Sequence, residues 1–396
     1  MEISFWNNST TITKSKLFLV FLIGISLPFK DIFSTIAILI LTAVSLYSLF
    51  NDNKDEGLRF PWVLFLIPVL LIIPRLIGLF TGQLNGALDE LLRAIPILLV
   101  PFIFLTFKSY SNAEKSFYYG LLLGLMLFLI ICEFVVIRNM ISSQEPLEYF
   151  FRWRHLNINF VKPIDNHPPY VAILVIWLFV KTITKNYLSN RLKYILLAIS
   201  ALFLFQLLAR NAIILAVILA LYFSVRSLNL KYILFASGII AILFTVVIYH
   251  PHDYLRNKIL NSFNLNDYQN RDKRVNRLKA SVEVFKLEPV FGVGPKNDNE
   301  LRKKEFKKMA DYTAYKYNYN SHNQFFEYLV SHGVLGLLCF ISLLFIIARI
   351  SFKNKDYDNF ILLLCFIMAC LTESVLERSL GTKYFSILIA FILLKH

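Results

Sequence analysis

Apolar residues along this chain fall into blocks, near 16–29, 32–50, 61–80, 92–107, 116–137, 169–184, 193–208, 211–225, 232–249, 323–348, 360–373 and 382–394, with mostly short polar stretches between them. Most blocks approach the ~20 residues a helix needs to cross a ~30 Å hydrocarbon core. No water reaches the peptide groups in such a core, so the backbone must bond to itself and each block is expected to be a helix. The pattern predicts an all-α integral membrane protein with about 12 transmembrane helices. Helices 1–9 occupy residues 1–249, a large loop residues 250–321, and helices 10–12 residues 322–396. The block at 323–348 is long enough to tilt or to begin outside the bilayer. Ser4 to Ser15 is polar, and no small-residue cleavage site follows the first block, so the first two blocks are expected to be retained.

The large loop has a periodicity of its own. Val275, Leu278, Val282 and Phe285 recur at helical spacing within Arg271 to Leu287, which predicts an amphipathic helix ended by Glu288-Pro289. Phe291-Gly-Val-Gly-Pro295 reads as a turn that shapes the loop; no Lys-Ser/Thr follows, as a phosphate loop requires. Asp298 is placed to cap a second helix reaching about Asp311. The basic run from Arg302 through Lys308 reads as a solvated face or a contact for anionic headgroups.

Composition strengthens the membrane reading. Hydrophobic residues make up 57% of the 396 and charged residues 17%, where a soluble domain carries about a quarter charged. Cys132, Cys339, Cys365 and Cys370 all lie in apolar blocks, so neither a disulfide framework nor a thiol metal site is expected. The net charge of +15 is distributed unevenly. With the N-terminus inside, alternate short loops hold Lys54 and Arg59, Lys108 and Lys115, Lys181 to Lys193, Arg226 and Lys231, and Arg349 to Lys355. The opposite loop Thr81 to Glu90 has no base and carries Asp89 and Glu90. Lys and Arg in short loops stay cytoplasmic, which fixes the orientation; long loops are exempt, so the basic loop 250–321 lies outside. A basic loop facing away from the cytoplasm makes nucleic acid an unsuitable partner.

The ionisable residues near helix ends gather on that outer side: Arg75, Arg93, Arg138, Arg210, His322, Glu373, Glu377 and Arg378. Each Arg taken singly can be an interfacial side chain snorkelling to headgroups. As a group they suit phosphate recognition, because the guanidinium fork is always charged and binds phosphate oxygens bidentately without a metal. A histidine on the same face can accept a proton from a hydroxyl. Glu373 with Glu377, or Asp89 with Glu90, could suggest a two-carboxylate glycosidase, but nothing places an acid and a nucleophile at a suitable separation. Glu373 is better read as partner to an Arg or as orienting an acceptor, and His332 as packing in the bundle or open in role.

Several segments resemble the O-antigen ligase and polymerase superfamily. Ser321-His-Asn-Gln-Phe-Phe-Glu-Tyr-Leu-Val-Ser-His-Gly-Val-Leu-Gly336 is similar to the stretch opening the helix after that family's large periplasmic loop. Arg274-Val-Asn-Arg-Leu-Lys-Ala280, leading to Pro289-Val-Phe-Gly-Val-Gly-Pro295, is similar to its Arg-containing helix and Gly-x-Gly-Pro turn. Arg210 stands where the family places an Arg at a helix mouth, and Thr372-Glu-Ser-Val-Leu-Glu-Arg378 and His167-Pro-Pro-Tyr170 resemble further short motifs. Many members have an aromatic where Leu278 stands and Ser where Ala209 stands.

The resemblance implies a GT-C-type membrane fold in the bacterial inner membrane, with both termini cytoplasmic and the active site facing the periplasm. It implies transfer of a glycan from a polyprenyl-diphosphate carrier to an acceptor hydroxyl on a lipid or glycan, without cofactor or metal. Carried onto this chain, it makes His322 the catalytic base, Arg210, Arg274 and Arg277 the diphosphate ligands, and Asn323, Glu373 and Arg378 supporting or acceptor-side residues. Ligase and polymerase share these residues. A transporter of lipid-linked oligosaccharide is the rival of another class; transporters tend to carry repeats and midplane charges, and neither is evident here.

Overall fold

The computed structural model describes residues 11–51, 63–80, 84–107, 109–227 and 274–395, with the single positions 238 and 245. Apart from those two positions, the predicted block 232–249 and the loop residues 250–273 lie outside the described residues. The protein is all-helical, with no strand among the described residues. Its helices are α1 (Thr11–Ser26), α2 (Asp31–Asn51), α3 (Val63–Phe80), α4 (Leu84–Phe104), α5 (Tyr110–Ser142), α6 (Ile158–Val161), α7 (Pro168–Thr184), α8 (Asn190–Leu207), α9 (Arg210–Ser227), α10 (Arg274–Phe285), α11 (Asn297–Lys308), α12 (Tyr312–Tyr317), α13 (Gln324–Lys353), α14 (Tyr357–Cys370) and α15 (Ser379–Leu394). Every predicted block other than 232–249 lies on one of these. Among the described residues, four helices are long and apolar enough to cross a membrane: α2, α5, α8 and α13. A fifth span is formed if the pair Ile158–Ile164 and Pro168–Thr184, bent by 85°, is taken together. The apolar parts of α3, α9, α14 and α15 are shorter, 10–17 residues.

The chain divides into two compact units, residues 1–44 with 111–268 and residues 45–110 with 269–396. In the first unit, α1 and α5 cross at glycines. A Cβ on Gly24 would lie 2.6 Å from the Leu121 nitrogen, and one on Gly124 2.5 Å from the Ile25 oxygen; Gly120 faces the Phe21 carbonyl more closely still. Gly120 and Gly124, four apart, form the small-residue stripe that lets membrane helices approach backbone to backbone. α7 is buried along nearly its whole length and packs on α8 and α9. Pro168 and Pro169 suit its first turn, where no amide hydrogen is needed. Near its other end Lys181 is fully buried and lies 2.5 Å from Glu114 of α5. Lys185 and the Tyr187 hydroxyl reach the second carboxylate oxygen at 3.2 and 2.9 Å. The predicted loop lysine Lys181 is therefore an interior helix residue, paired with a carboxylate.

In the second unit, α15 is buried over nearly every residue and lies against α4, while α13 lies against α3. Phe366 of α14 stacks on Phe385 of α15, with ring centroids 4.5 Å apart. α13 is two helical pieces joined at Gly333, whose φ of 64° and ψ of −166° interrupt the hydrogen-bond ladder. The turn 289–294 fills that interruption: Val293 and Gly294 donate to the carbonyls of Val330 and Ser331 at 3.0 Å, and Val334 donates to Pro289 at 2.9 Å. Gly292 lies so close to the backbone at 331–333 that no side chain fits, and its φ of 74° is left-handed. The Gly-x-Gly turn is thus a backbone plug for a broken helix. α10, α11 and α12 pack around Ala280, Phe306 and Ala314.

Two local expectations change. The buried positions of α10 are Ala280, Ser281 and Val284, whereas Val275, Leu278, Val282 and Phe285 are half-buried. The packed stripe is rotated because small residues allow closer approach to α11 than the larger apolar side chains do. α4 begins eight residues before its apolar block, so Asp89 and Glu90 are helical residues rather than loop residues.

Neutralising Glu114 strands a buried ammonium, so Glu114→Gln is expected to destabilise the protein by about 3–5 kcal/mol. The measurement is the thermal unfolding midpoint in detergent; the Glu114→Leu, Lys181→Met pair recovers most of the loss.

Candidate functional site

The second unit brings two turns together, Asn320–Asn323 ahead of α13 and Leu371–Arg378 between α14 and α15. Asn323 caps α13: its side-chain oxygen accepts from the amides of Phe325 and Phe326 at 3.0 and 3.2 Å. Its amide nitrogen donates to the Leu371 carbonyl at 3.0 Å, which ties the head of α13 to the end of α14. The Gln324 oxygen accepts from the Leu376 amide at 2.6 Å. His322, one residue ahead of the cap, is held at a left-handed φ of 51°, a costly conformation for this residue unless its surroundings fix it.

Glu327 supplies much of that fixing. Its Oε1 accepts from the Ser321 amide and hydroxyl at 2.6 and 2.7 Å and from the Ser374 hydroxyl at 3.2 Å. Its Oε2 pairs with Arg302 at 2.9 Å, and Arg302 also holds Asp298 at 3.0 Å. Ser331 donates to Asp298 at 2.8 Å. All of these groups are buried. Ser321 and Ser374 are the chain neighbours of His322 and Glu373, so one buried carboxylate sets both.

Between the turns, His322 Nδ1 lies 3.0 Å from Glu373 Oε2. The other Glu373 oxygen is 3.5 Å from Nη2 of Arg274 on α10. The Arg277 guanidinium, one turn further along, sits 4.3 Å over the Tyr319 ring, and that ring meets His322 edge-on at 5.9 Å. The His322, Arg274 and Glu373 side chains remain 20%, 30% and 11% exposed, so the cluster is open to a ligand on one side. If Nδ1 donates to Glu373, Nε2 keeps its lone pair, the tautomer a general base requires.

A second set of charges lies in the same unit. Glu90 is 3.0 Å from His332 Nε2 and 3.7 Å from Arg75, which donates to the Tyr328 hydroxyl at 3.2 Å. Arg93 pairs with Glu377 at 2.7 Å, and Lys296 with Asp89 at 2.7 Å. Arg75 is thus ion-paired inside the protein rather than snorkelling, and Arg93, 36% exposed, is held by a carboxylate. Burial pushes the Glu377 carboxyl up to about 7; Arg93 opposes the rise, while Glu90, Glu327 and Asp298 add to it. Burial likewise raises Asp298 above its ordinary range, against the pull of Arg302.

Five of the seven predicted site residues, His322, Asn323, Glu373, Arg274 and Arg277, meet around this cluster. Arg378 is exposed just ahead of α15 and makes none of these contacts. Arg210 belongs to the other unit, where it opens α9 after Leu208 turns the chain with a φ of 46°. Asp298 is not the cap of α11, whose first turn follows Lys296; it is drawn inward by Arg302. Arg302 itself is buried, which removes it from the predicted headgroup-binding run. Glu327, Ser321 and Ser374 were not singled out from sequence. Asn323 ahead of an apolar run marks a helix start, but neither Glu327 nor its Arg302 partner has a local signature. Among the described residues no group of three or more His, Cys, Asp or Glu is arranged to hold a metal ion.

A model of the O-antigen ligase family matches residues 194–341. The match includes Arg210, Arg274, Arg277, His322 and Asn323, and ends before Glu373 and Arg378. No curated protein matches the chain.

The raised Glu377 predicts a pH dependence. Between its ordinary 4.5 and about 7 the folded protein keeps a proton that the unfolded chain has released, so stability falls as pH rises through this window. Thermal unfolding midpoints from pH 5 to pH 8 are expected to show that decline, and Glu377→Gln is expected to flatten it.

Proposed function

We propose, from the match of residues 194–341 to a model of the O-antigen ligase family, that this membrane protein is a glycosyltransferase moving a glycan from a polyprenyl-diphosphate carrier to an acceptor hydroxyl. The acceptor is a lipid A-core or similar lipid-borne sugar, and the reaction takes place at the outer face of the bacterial inner membrane. In this reading both termini are cytoplasmic and residues 250–321 form the periplasmic loop.

The observation that supports the chemistry best is the His322–Glu373–Arg274 chain. The acceptor hydroxyl gives its proton to Nε2 of His322 as its oxygen attacks the anomeric carbon. The bond from that carbon to the diphosphate oxygen breaks, and the electron pair leaves with the polyprenyl diphosphate. Glu373 holds the imidazole in the accepting tautomer and stabilises the imidazolium that forms. Arg274 and Arg277 neutralise charge developing on the leaving group, a contact stronger in the transition state than in the ground state. Arginine supplies this without a metal. Arg210 is proposed as a further diphosphate ligand because the family match covers it; Arg378 is proposed on the acceptor side.

Membranes carrying His322→Ala are expected to lose about 10²–10⁴-fold in transfer from a polyprenyl-diphosphate donor. Arg274→Ala and Arg210→Ala are expected to lose about 10²–10³-fold. Full activity in both His322→Ala and Arg210→Ala would overturn the mechanism. A polymerase joining repeat units shares the same residues, and a surface-glycan gel of a deletion strain separates the two. Loss of all attached chains marks a ligase, and a single attached repeat marks a polymerase.

A further inference from the structure

Arg210 follows a turn that other parts of the first unit hold in place. α8 ends at Leu207, and Leu208, buried and left-handed at a φ of 46°, breaks the helix two residues ahead of Arg210. The last carbonyls of a helix have no partner within it, and here a single residue takes two of them. The Asn157 amide donates to the Gln206 carbonyl at 2.9 Å, and Asn157 Nδ2 donates to the Leu207 carbonyl at 3.1 Å. The Gln206 side chain donates in turn to Glu133 of α5. Asn157 belongs to the segment between α5 and α7, where Phe151 and Phe160 pack edge-on against Phe205 and Phe203 of α8. It does this in a strained conformation. Its φ of 55° and ψ of −127° are open to glycine and rarely adopted by other residues. Any residue at 157 other than proline keeps the backbone bond to Gln206, whereas the bond to Leu207 requires a side chain with a donor.

We propose that Asn157 is a positioning residue for Arg210: it closes the open end of α8, fixes the Leu208 turn, and so sets where α9 begins and Arg210 stands. Strain of this kind persists where the surroundings enforce it, and it gathers at places whose geometry is used. Glycine at 157 relieves the strain and gives up only the hold on Leu207. The rival role is a loop tie that serves stability alone. Loss of such a tie lowers the unfolding midpoint and the activity together, whereas loss of a positioning contact separates the two. The inference rests on the transferase reading for what Arg210 does, while the hold on the turn is measurable without transfer.

The test uses Asn157→Gly in the full-length protein in lipid nanodiscs. Its thermal unfolding midpoint is expected to stay close to the parent's, because released strain offsets the lost bond. The Leu208 and Ile213 amides bond to Phe205 and Ala209 on either side of the turn. Their hydrogen exchange is expected to quicken about tenfold. Transfer from a polyprenyl-diphosphate donor is expected to fall about tenfold in the parent background and by less than about twofold in Arg210→Ala, where no guanidinium is left to misplace. Asn157→Asp, which keeps the shape and removes the donor, is expected to repeat the loss of transfer. Unchanged exchange overturns the hold on the turn. An equal fall in both backgrounds, or a midpoint that drops in step with activity, overturns the positioning role. So does full transfer in Asn157→Gly when Arg210→Ala is impaired. Quickened exchange with full transfer in both Asn157→Gly and Arg210→Ala removes Arg210 from the transferase reading and leaves the hold on the turn standing.

Discussion

A carboxylate removed from water has to be answered by its surroundings, and Glu327 is answered from three directions. Arg302 takes one oxygen, and Ser321 and Ser374 take the other. Losing one partner of a buried pair leaves a stranded charge, a far larger penalty than the pair's own net contribution. This is a reason for the two turns to keep their register. The left-handed His322 and the placement of Glu373 both follow from it, since each is one residue from a serine that Glu327 holds.

The same region shows how a membrane helix can be broken without leaving orphaned peptide groups. Gly333 interrupts α13, and the freed carbonyls of Val330 and Ser331 accept from the 289–294 turn. Non-helical backbone at such a place is tolerated only when protein satisfies it. The plug also fixes the chain between α10 and α11, so Arg274, Arg277 and Arg302 are carried by elements anchored to the helix that begins beside His322. The proposed base His322 and the proposed diphosphate ligands Arg274 and Arg277 therefore sit on helices and a helix start.

The charged side chains differ in how they are engaged. Arg75, Arg93 and Arg302 are engaged by carboxylates within the second unit, and Lys181 by Glu114 in the first. Arg274 and His322 share Glu373 and keep part of their surface open. A half-open cation beside a histidine suits an anionic ligand, whereas the buried pairs of Arg302 and Lys181 organise the helices of their own units. Both kinds of Arg looked alike along the chain, as basic residues near the ends of apolar blocks.

Much of this protein was determined by local pattern. Apolar blocks became helices wherever they are described, because a membrane leaves the backbone no other way to satisfy itself. His322-Asn323 marked a helix start, Arg274 and Arg277 shared one helix, and Gly292 and Gly294 marked a turn, all from short-range preferences. Tertiary structure decided which charges pair. Glu327 meets Arg302 across 25 residues, His322 meets Glu373 across 51, and Arg274 meets Glu373 across 99. No periodicity encodes such pairings; they depend on which helix ends are packed side by side. The buried stripe of α10 and the inward turn of Asp298 were likewise settled by neighbours, because close approach and charge compensation outweigh the preference of any single residue for apolar surroundings or for a cap.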